Sequence, residues 1–188
     1  MSHLNSTLTR RVLAGENKSD IHRDYAATAL SKRVEKTLAL IATPENRAKA
    51  KSLNAALLVC YTLLTLAKFF AMTFFHPAQP LANAIVAYAI TGLIYLGVVG
   101  LLATHNFIGY VLIFAFGFRG AAELLGSIPR MVQAGAPVHY IVFDSACMLC
   151  VLACFLLSYK IFRMLFPTAG NFFLFPDHDA EGRPIFKD

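Results

Sequence analysis

Four ionisable residues stand inside long apolar runs: Lys68, Arg119, Glu123 and Asp144. A charged side chain is costly in hydrocarbon, so each is expected to turn toward a bundle interior, a partner or water. Arg119 and Glu123 are four residues apart, one helical turn, and can pair on a single face. Lys68 and Asp144 are then the natural pair between two helices. Such a set can fix the register of a helix bundle. It can also line an ion or proton path, or floor a cavity open to one side. The balance of two positive and two negative charges favours the structural role, because a pathway commonly leaves one acid unpaired.

The other reactive residue type is cysteine, at positions 60, 147, 150 and 154. Cys147-Met148-Leu149-Cys150 is a C-x-x-C, and Cys154 continues its face at the next helical turn. Over Tyr140 to Cys150 the chain resembles the vitamin K epoxide reductase family, which carries a C-x-x-C in the fourth of four spans. That resemblance implies a membrane thiol oxidoreductase using Cys147 and Cys150. The family relays electrons through a second cysteine pair in an outer loop, and the corresponding stretches here, 76–80 and 128–137, contain no cysteine. Hydrocarbon around Cys147 also quenches thiol reactivity. Small apolar packing is therefore the expected role of these residues.

His76 and His139 flank apolar runs, but no third ligand accompanies them at a metal-binding spacing. No histidine lies within the core of an apolar run, which argues against a haem held between helices. Phosphate-binding loops, nucleophile elbows, dinucleotide fingerprints and zinc-protease motifs are all missing from the sequence. The expectation is a protein without catalytic residues, metal or cofactor, structural lipids apart.

The elements that must carry these residues follow from composition. Of 188 residues 57% are hydrophobic and only 15% are charged, against about 25% charged in ordinary soluble domains. Ten of the seventeen Lys and Arg fall in residues 1–52, and residues 53–166 are almost continuously apolar. A water-soluble globule, a disordered chain and a disulfide-stapled secreted domain are excluded. The fold class expected is all-α: a polytopic membrane protein with a four-helix transmembrane bundle, an N-terminal amphipathic helix and a short extended C-terminal tail.

A spanning helix takes about 20 apolar residues, and four segments qualify, near 53–75, 81–104, 107–127 and 138–162. His76-Pro77-Ala78-Gln79-Pro80 breaks the first from the second, because proline removes a donor and clashes with the preceding turn. His105-Asn106 marks the second reversal. Ser127-Ile128-Pro129-Arg130 and Gly135-Ala136-Pro137 frame the third, with Gly135 a helix cap and Pro137 a helix start. The domains expected are a basic arm (1–52), a transmembrane domain (53–165) and an aromatic and polar tail (166–188).

Four spans put both termini on one side. The arm, Lys160, Arg163, Arg183 and Lys187 lie there, against Arg130 alone in the opposite loops. Positive charge stays inside, so the termini are expected in the cytoplasm or matrix. A bacterial or mitochondrial inner membrane fits best, with the endoplasmic reticulum as the alternative. By this topology all four intramembrane charges fall within roughly 6–12 Å of the outer boundary, at 1.5 Å per residue. The second span adds Asn83 and Tyr88 to that half.

In the arm, Ala27, Leu30, Val34, Leu38 and Ile41 recur at helical spacing, with Lys32, Arg33, Glu35 and Lys36 elsewhere on the wheel. Such a helix lies on anionic headgroups or packs on a partner. Thr43-Pro44-Glu45 predicts an N-cap and a second helix that runs unbroken into the first span. Arg33, Lys36, Arg47 and Lys51 are the candidate headgroup contacts. Five acids in the arm and few aromatics argue against nucleic acid as a partner. The tail carries Phe172, Phe173 and Phe175, which a solvated segment does not hold together; an interface or a partner's groove suits them.

Small residues mark the packing faces: Gly92, Gly97 and Gly100 on span two, and Gly117, Ala121, Ala122 and Gly126 on span three. Gly117–Ala121 and Ala122–Gly126 have the spacing that lets helix backbones approach. The function expected is a non-catalytic accessory subunit of a larger membrane complex, of the energy-transducing or secretion type, whose partners are other membrane subunits and anionic lipid headgroups. The alternatives are a small oligomeric transporter or channel using the charge layer, and the thiol oxidoreductase above.

Overall fold

The computed structural model describes residues 2–74, 81–169, 178–181 and 184–186, with side chains for all of these except 2, 72–74, 81–84 and 169. Among the described residues seven α-helices follow one another: α1 (Ser2–Leu13), α2 (Lys18–Tyr25), α3 (Ser31–Ala39), α4 (Pro44–Phe74), α5 (Leu81–Ala103), α6 (Phe107–Gln133) and α7 (Val138–Leu165), then a 3₁₀ turn at Pro167–Ala169. Among the described residues there is no strand, only an isolated antiparallel bridge between His178 and Pro184. Helices α4 to α7 are long and apolar enough to cross a membrane.

The helix ends obey local chemistry. Gly15, with φ +88°, closes α1: its N–H bonds Val12 O and the Glu16 N–H bonds Arg11 O, at 3.0 and 3.2 Å. This double bond satisfies carbonyls that the helix would leave open, and it needs a left-handed residue. Gly135 (φ +66°) closes α6 in the same way, through Val132 O and Met131 O. At α4, Thr43 Oγ1 accepts from the Asn46 N–H at 3.4 Å and Thr43 O from the Arg47 N–H at 3.0 Å. Pro44 then stands in the first turn, where its missing donor costs nothing. Glu45 pairs with Lys49 at 2.7 Å, and that ammonium holds the Glu45 carboxyl below the usual carboxylate range.

Two expectations change. The third span does not stop at Ser127–Arg130, because α6 continues through Pro129 to Gln133. A proline there removes one intrahelical bond, a loss that membrane helices tolerate, and the stop comes at the Gly135 cap. The arm is also not one amphipathic helix over 27–41. The Thr28 N–H and its Oγ1–H both bond Tyr25 O, and Thr28 Oγ1 accepts from the Leu30 N–H. That hydroxyl takes over bonds a continuing helix would use. Residues 26–30 are therefore turns, and Ala27 and Leu30 are exposed.

The chain forms two compact units. The first holds residues 1–52, 105–107 and 160–188. Here Val34, Leu38 and Ile41 do form an apolar face, and they bury it against Leu8, Val12 and Ile21. Three short helices thus build a core of their own, onto which Leu4, Tyr25 and Phe186 pack. The tail joins this unit: His178 Nε2 lies 3.3 Å from Glu35 Oε1, and the Phe186 ring is 6.0 Å from His22. Arg11 ties α1 to Glu16 and to Asp24 of α2, at 2.6 and 2.8 Å.

The second unit holds residues 53–104 and 108–159. Its helices meet through rings and hydroxyls. Phe69 stacks on Tyr88 and Tyr61 on Tyr95, joining α4 to α5 along their length. Thr62 Oγ1 and the Tyr95 hydroxyl share a hydrogen bond of 2.9 Å. Phe70 meets Phe143 between α4 and α7. Phe114 stacks on Phe155 at 4.4 Å between α6 and α7.

Candidate functional site

The polar side chains of the second unit divide into an inward set and an outward set. Inside, Asn54 is only 5% exposed. Its Nδ2 donates to Leu102 O at 3.2 Å, and its Oδ1 accepts from the Tyr110 hydroxyl at 2.8 Å. One buried amide thereby links α4, the last turn of α5 and the first turn of α6. Buried polar groups are tolerated when bonded in this way. Sequence inspection missed this network. Its only local signals are an asparagine opening an apolar run and a tyrosine one turn into another.

The outward set is on α6. Arg119 Nε donates to Glu123 Oε1 at 2.8 Å, so the pairing expected from their spacing is formed. The two side chains are 79% and 64% exposed, hence the pair points away from the bundle. At 100° per residue, Ala115, Ala122, Gly126 and Arg130 lie within about 60° of Arg119 on the helical wheel, and all four are exposed. The same window holds Leu112, half-buried, and Phe116, exposed, so the pair stands among small and large side chains near the middle of a helix long enough to span a bilayer.

Lys68 and Asp144 are arranged differently. Lys68 is exposed and Asp144 half-buried. Among the described residues no ion pair joins them. Phe70 and Phe143, near these two positions in sequence, pack ring on ring between α4 and α7. Arg119 and Glu123 are thus paired and exposed on α6, whereas no ion pair among the described residues joins Lys68 to Asp144. Asn83 falls among the undescribed side chains, and Tyr88 is engaged with Phe69.

The small residues also separate by use. A Cβ on Gly117 would stand 3.1 Å from Phe155 Cβ, so α7 packs directly on it. A Cβ on Gly109 would meet Leu101 Cβ at 2.9 Å and the Leu101 backbone carbon at 3.3 Å, the tightest approach of this kind, where α6 turns back on α5. Gly92, Gly97, Gly100 and Gly126 have nothing within 4 Å of that position. Ala121 is half-buried.

Cys147 and Cys150 are half-buried and line a cavity of about 200 Å³ with Leu63, Leu64, Ala67, Phe143 and Ala146. The walls are almost wholly apolar. Cys154 is buried, and all four cysteines are free. Among the described residues no group of three or more His, Cys, Asp or Glu is placed to hold a metal. His139 is exposed with its ring against Tyr140, and His76 lies outside the described residues.

In the first unit Arg33 and Arg47 are half-buried, the latter with Nε on Ala42 O at 3.2 Å. Lys32, Lys36, Lys49 and Lys51 are exposed. Phe172, Phe173 and Phe175 lie outside the described residues. No family model, no curated protein and no solved structure matches this chain.

Proposed function

We propose that this chain is a non-catalytic accessory subunit of a larger integral membrane assembly, of the energy-transducing or secretion type, acting through helix packing, its arm and its tail. The observation that supports this best is the Arg119–Glu123 pair, turned outward near the middle of α6 beside Ala115, Ala122, Gly126 and the exposed Phe116. In lipid, helices associate through close packing and polar contacts rather than through the hydrophobic effect. Charged groups at that depth belong against protein or water. A face that combines both features suits a neighbouring transmembrane helix.

The arm fits the same role. Val34, Leu38 and Ile41 are spent on its own core, and the exposed Lys32 and Lys51 suit anionic headgroups or a partner's acidic surface. With basic residues gathered beside both termini, the orientation favoured has the termini in the cytoplasm or matrix of an inner membrane.

The test is extraction of native membranes into lipid nanodiscs or mild detergent, followed by mass determination. The chain is expected in a particle of fixed stoichiometry that contains other membrane polypeptides. A solitary chain, or a particle of this chain alone that carries ion flux in proteoliposomes, overturns the proposal in favour of a transporter or channel.

A further inference from the structure

We propose that the seam between α4 and α7 binds a zwitterionic membrane lipid with a primary ammonium head, of the phosphatidylethanolamine class. Part of an acyl chain enters the apolar cavity that Leu63, Leu64 and Ala67 share with Phe143, Cys147 and Cys150. The lipid phosphate meets Lys68 and its ammonium meets Asp144. This site is separate from the α6 face and does not rest on the accessory-subunit reading.

The register of the seam places both charges at one end of the cavity. Leu63, Leu64 and Ala67 of α4 line it together with Phe143, Cys147 and Cys150 of α7, and Phe70 packs on Phe143. Higher numbers on α4 thus meet lower numbers on α7, as in antiparallel neighbours. At 100° per residue, Lys68 stands about 40° from Leu64 and one turn beyond it. Asp144 stands about 60° from Cys147, three residues before it. Both flank the cavity toward the helix ends at Phe74 and Val138. Each is six residues from its end, about 9 Å, a depth from which a lysine stem reaches the headgroups.

Charge selects the occupant. Lys68 is exposed and Asp144 half-buried, and among the described residues neither makes an ion pair or a hydrogen bond. Charges at this depth call for a counter-charge or water. A lone anion suits Lys68 and is repelled by Asp144, and a lone cation does the reverse. A head that carries both signs on one short linker satisfies the two together. Phosphate oxygens accept from the lysine ammonium, which only donates, and a primary ammonium donates to the carboxylate, which only accepts. A choline head has no N–H to give.

The cavity supplies an independent criterion. It measures about 200 Å³ and its walls are almost wholly apolar, so a hydrocarbon segment fits it and a polar solute does not. In a lipid the acyl chains lie directly beneath the head, as this cavity lies beneath the two charges.

The test reconstitutes the full-length chain in nanodiscs of phosphatidylethanolamine, phosphatidylcholine and phosphatidylglycerol in equal parts, with identical acyl chains. The chain is then extracted in mild detergent, and retained lipid is measured by mass spectrometry. Phosphatidylethanolamine is expected to exceed each of the others by about ten-fold, the discrimination that one charged hydrogen bond supplies. Asp144→Asn is expected to bring phosphatidylethanolamine and phosphatidylcholine to equal retention, because the amide no longer attracts an ammonium. Lys68→Gln is expected to lose the retained phosphatidylethanolamine. Ala67→Phe fills the cavity and leaves both charges in place. It is expected to lower retention at unchanged helix content, read by circular dichroism.

Retention of the three lipids in bulk proportions marks annular lipid only and overturns the proposal. So does a wild-type preference for phosphatidylglycerol, which marks Lys68 as a simple anion contact. A phosphatidylethanolamine preference that survives both charge variants, each still helical, overturns it as well.

Discussion

Asn54 is a polar side chain among apolar neighbours that is made harmless by its two partners. Tyr110 gives its hydroxyl proton to Oδ1, and Nδ2 reaches Leu102 O. The last turn of an α-helix leaves carbonyls without intrahelical donors, and in α5 one of these is taken by an amide from α4. Tyr110→Phe removes one bond without changing the shape of the ring. The expected cost is about 1 kcal/mol, read from reversible unfolding in mixed micelles; an unchanged midpoint refutes the bond's contribution. The Arg119–Glu123 pair was legible from spacing alone, because partners one turn apart are brought together by the helix itself. The Asn54–Tyr110 bond was not, because it joins residues 56 positions apart and nothing in either local sequence names the other.

At the scale of the element, spacing located candidate packing glycines but not which of them are packed. Gly117–Ala121 and Ala122–Gly126 have the same small-x-x-x-small pattern, yet Gly117 touches Phe155 while Gly126 is open. The tightest position, Gly109, belongs to neither pair. Its neighbour Leu101 is fixed by the short turn between α5 and α6, so it has little room to retreat. Gly109→Ala is therefore expected to destabilise the bundle by roughly 1–3 kcal/mol through overpacking. Gly97→Ala, at an open position, is expected to leave stability unchanged or slightly raised, since alanine favours the helix over glycine. Thermal unfolding of the two variants side by side checks the contrast. Equal losses at both sites would contradict the assignment of these faces. Turn chemistry was legible where Gly135 and Pro44 act, and hidden at Thr28, whose hydroxyl ends α2 with no glycine or proline to announce it.

For the whole molecule, the arm is a folded unit and not a bare amphipathic helix. Leu38, fully buried in its core, has Leu8, Val12 and Ile21 as fellow members. Leu38→Ala is expected to cost about 2–5 kcal/mol within that unit, as large-to-small core changes do. The measurement is limited proteolysis: cleavage within residues 2–39 should accelerate while the α5–α6 region stays protected. Digestion at the wild-type rate throughout would show that the core does not hold the arm together. Apolar spacing alone marked Val34, Leu38 and Ile41 as one face. Whether that face meets lipid or protein depends on α1 and α2, whose own apolar residues are few and scattered, so the outcome rested on three short helices closing on one another.

The sequence by itself determined four apolar helices of spanning length, their breaks to within a few residues, the basic arm and the pairing of Arg119 with Glu123. Each of these follows from neighbours in the chain: composition over a span, prolines and glycines at turns, charges one helical turn apart. Only the tertiary structure decided which way those features face. It turned the Arg119–Glu123 pair outward, turned the arm's apolar stripe inward and bonded Asn54 to two other helices. The reason is physical: an isolated helix fixes the angle between its own side chains, but inside and outside exist only once other helices have covered part of its surface.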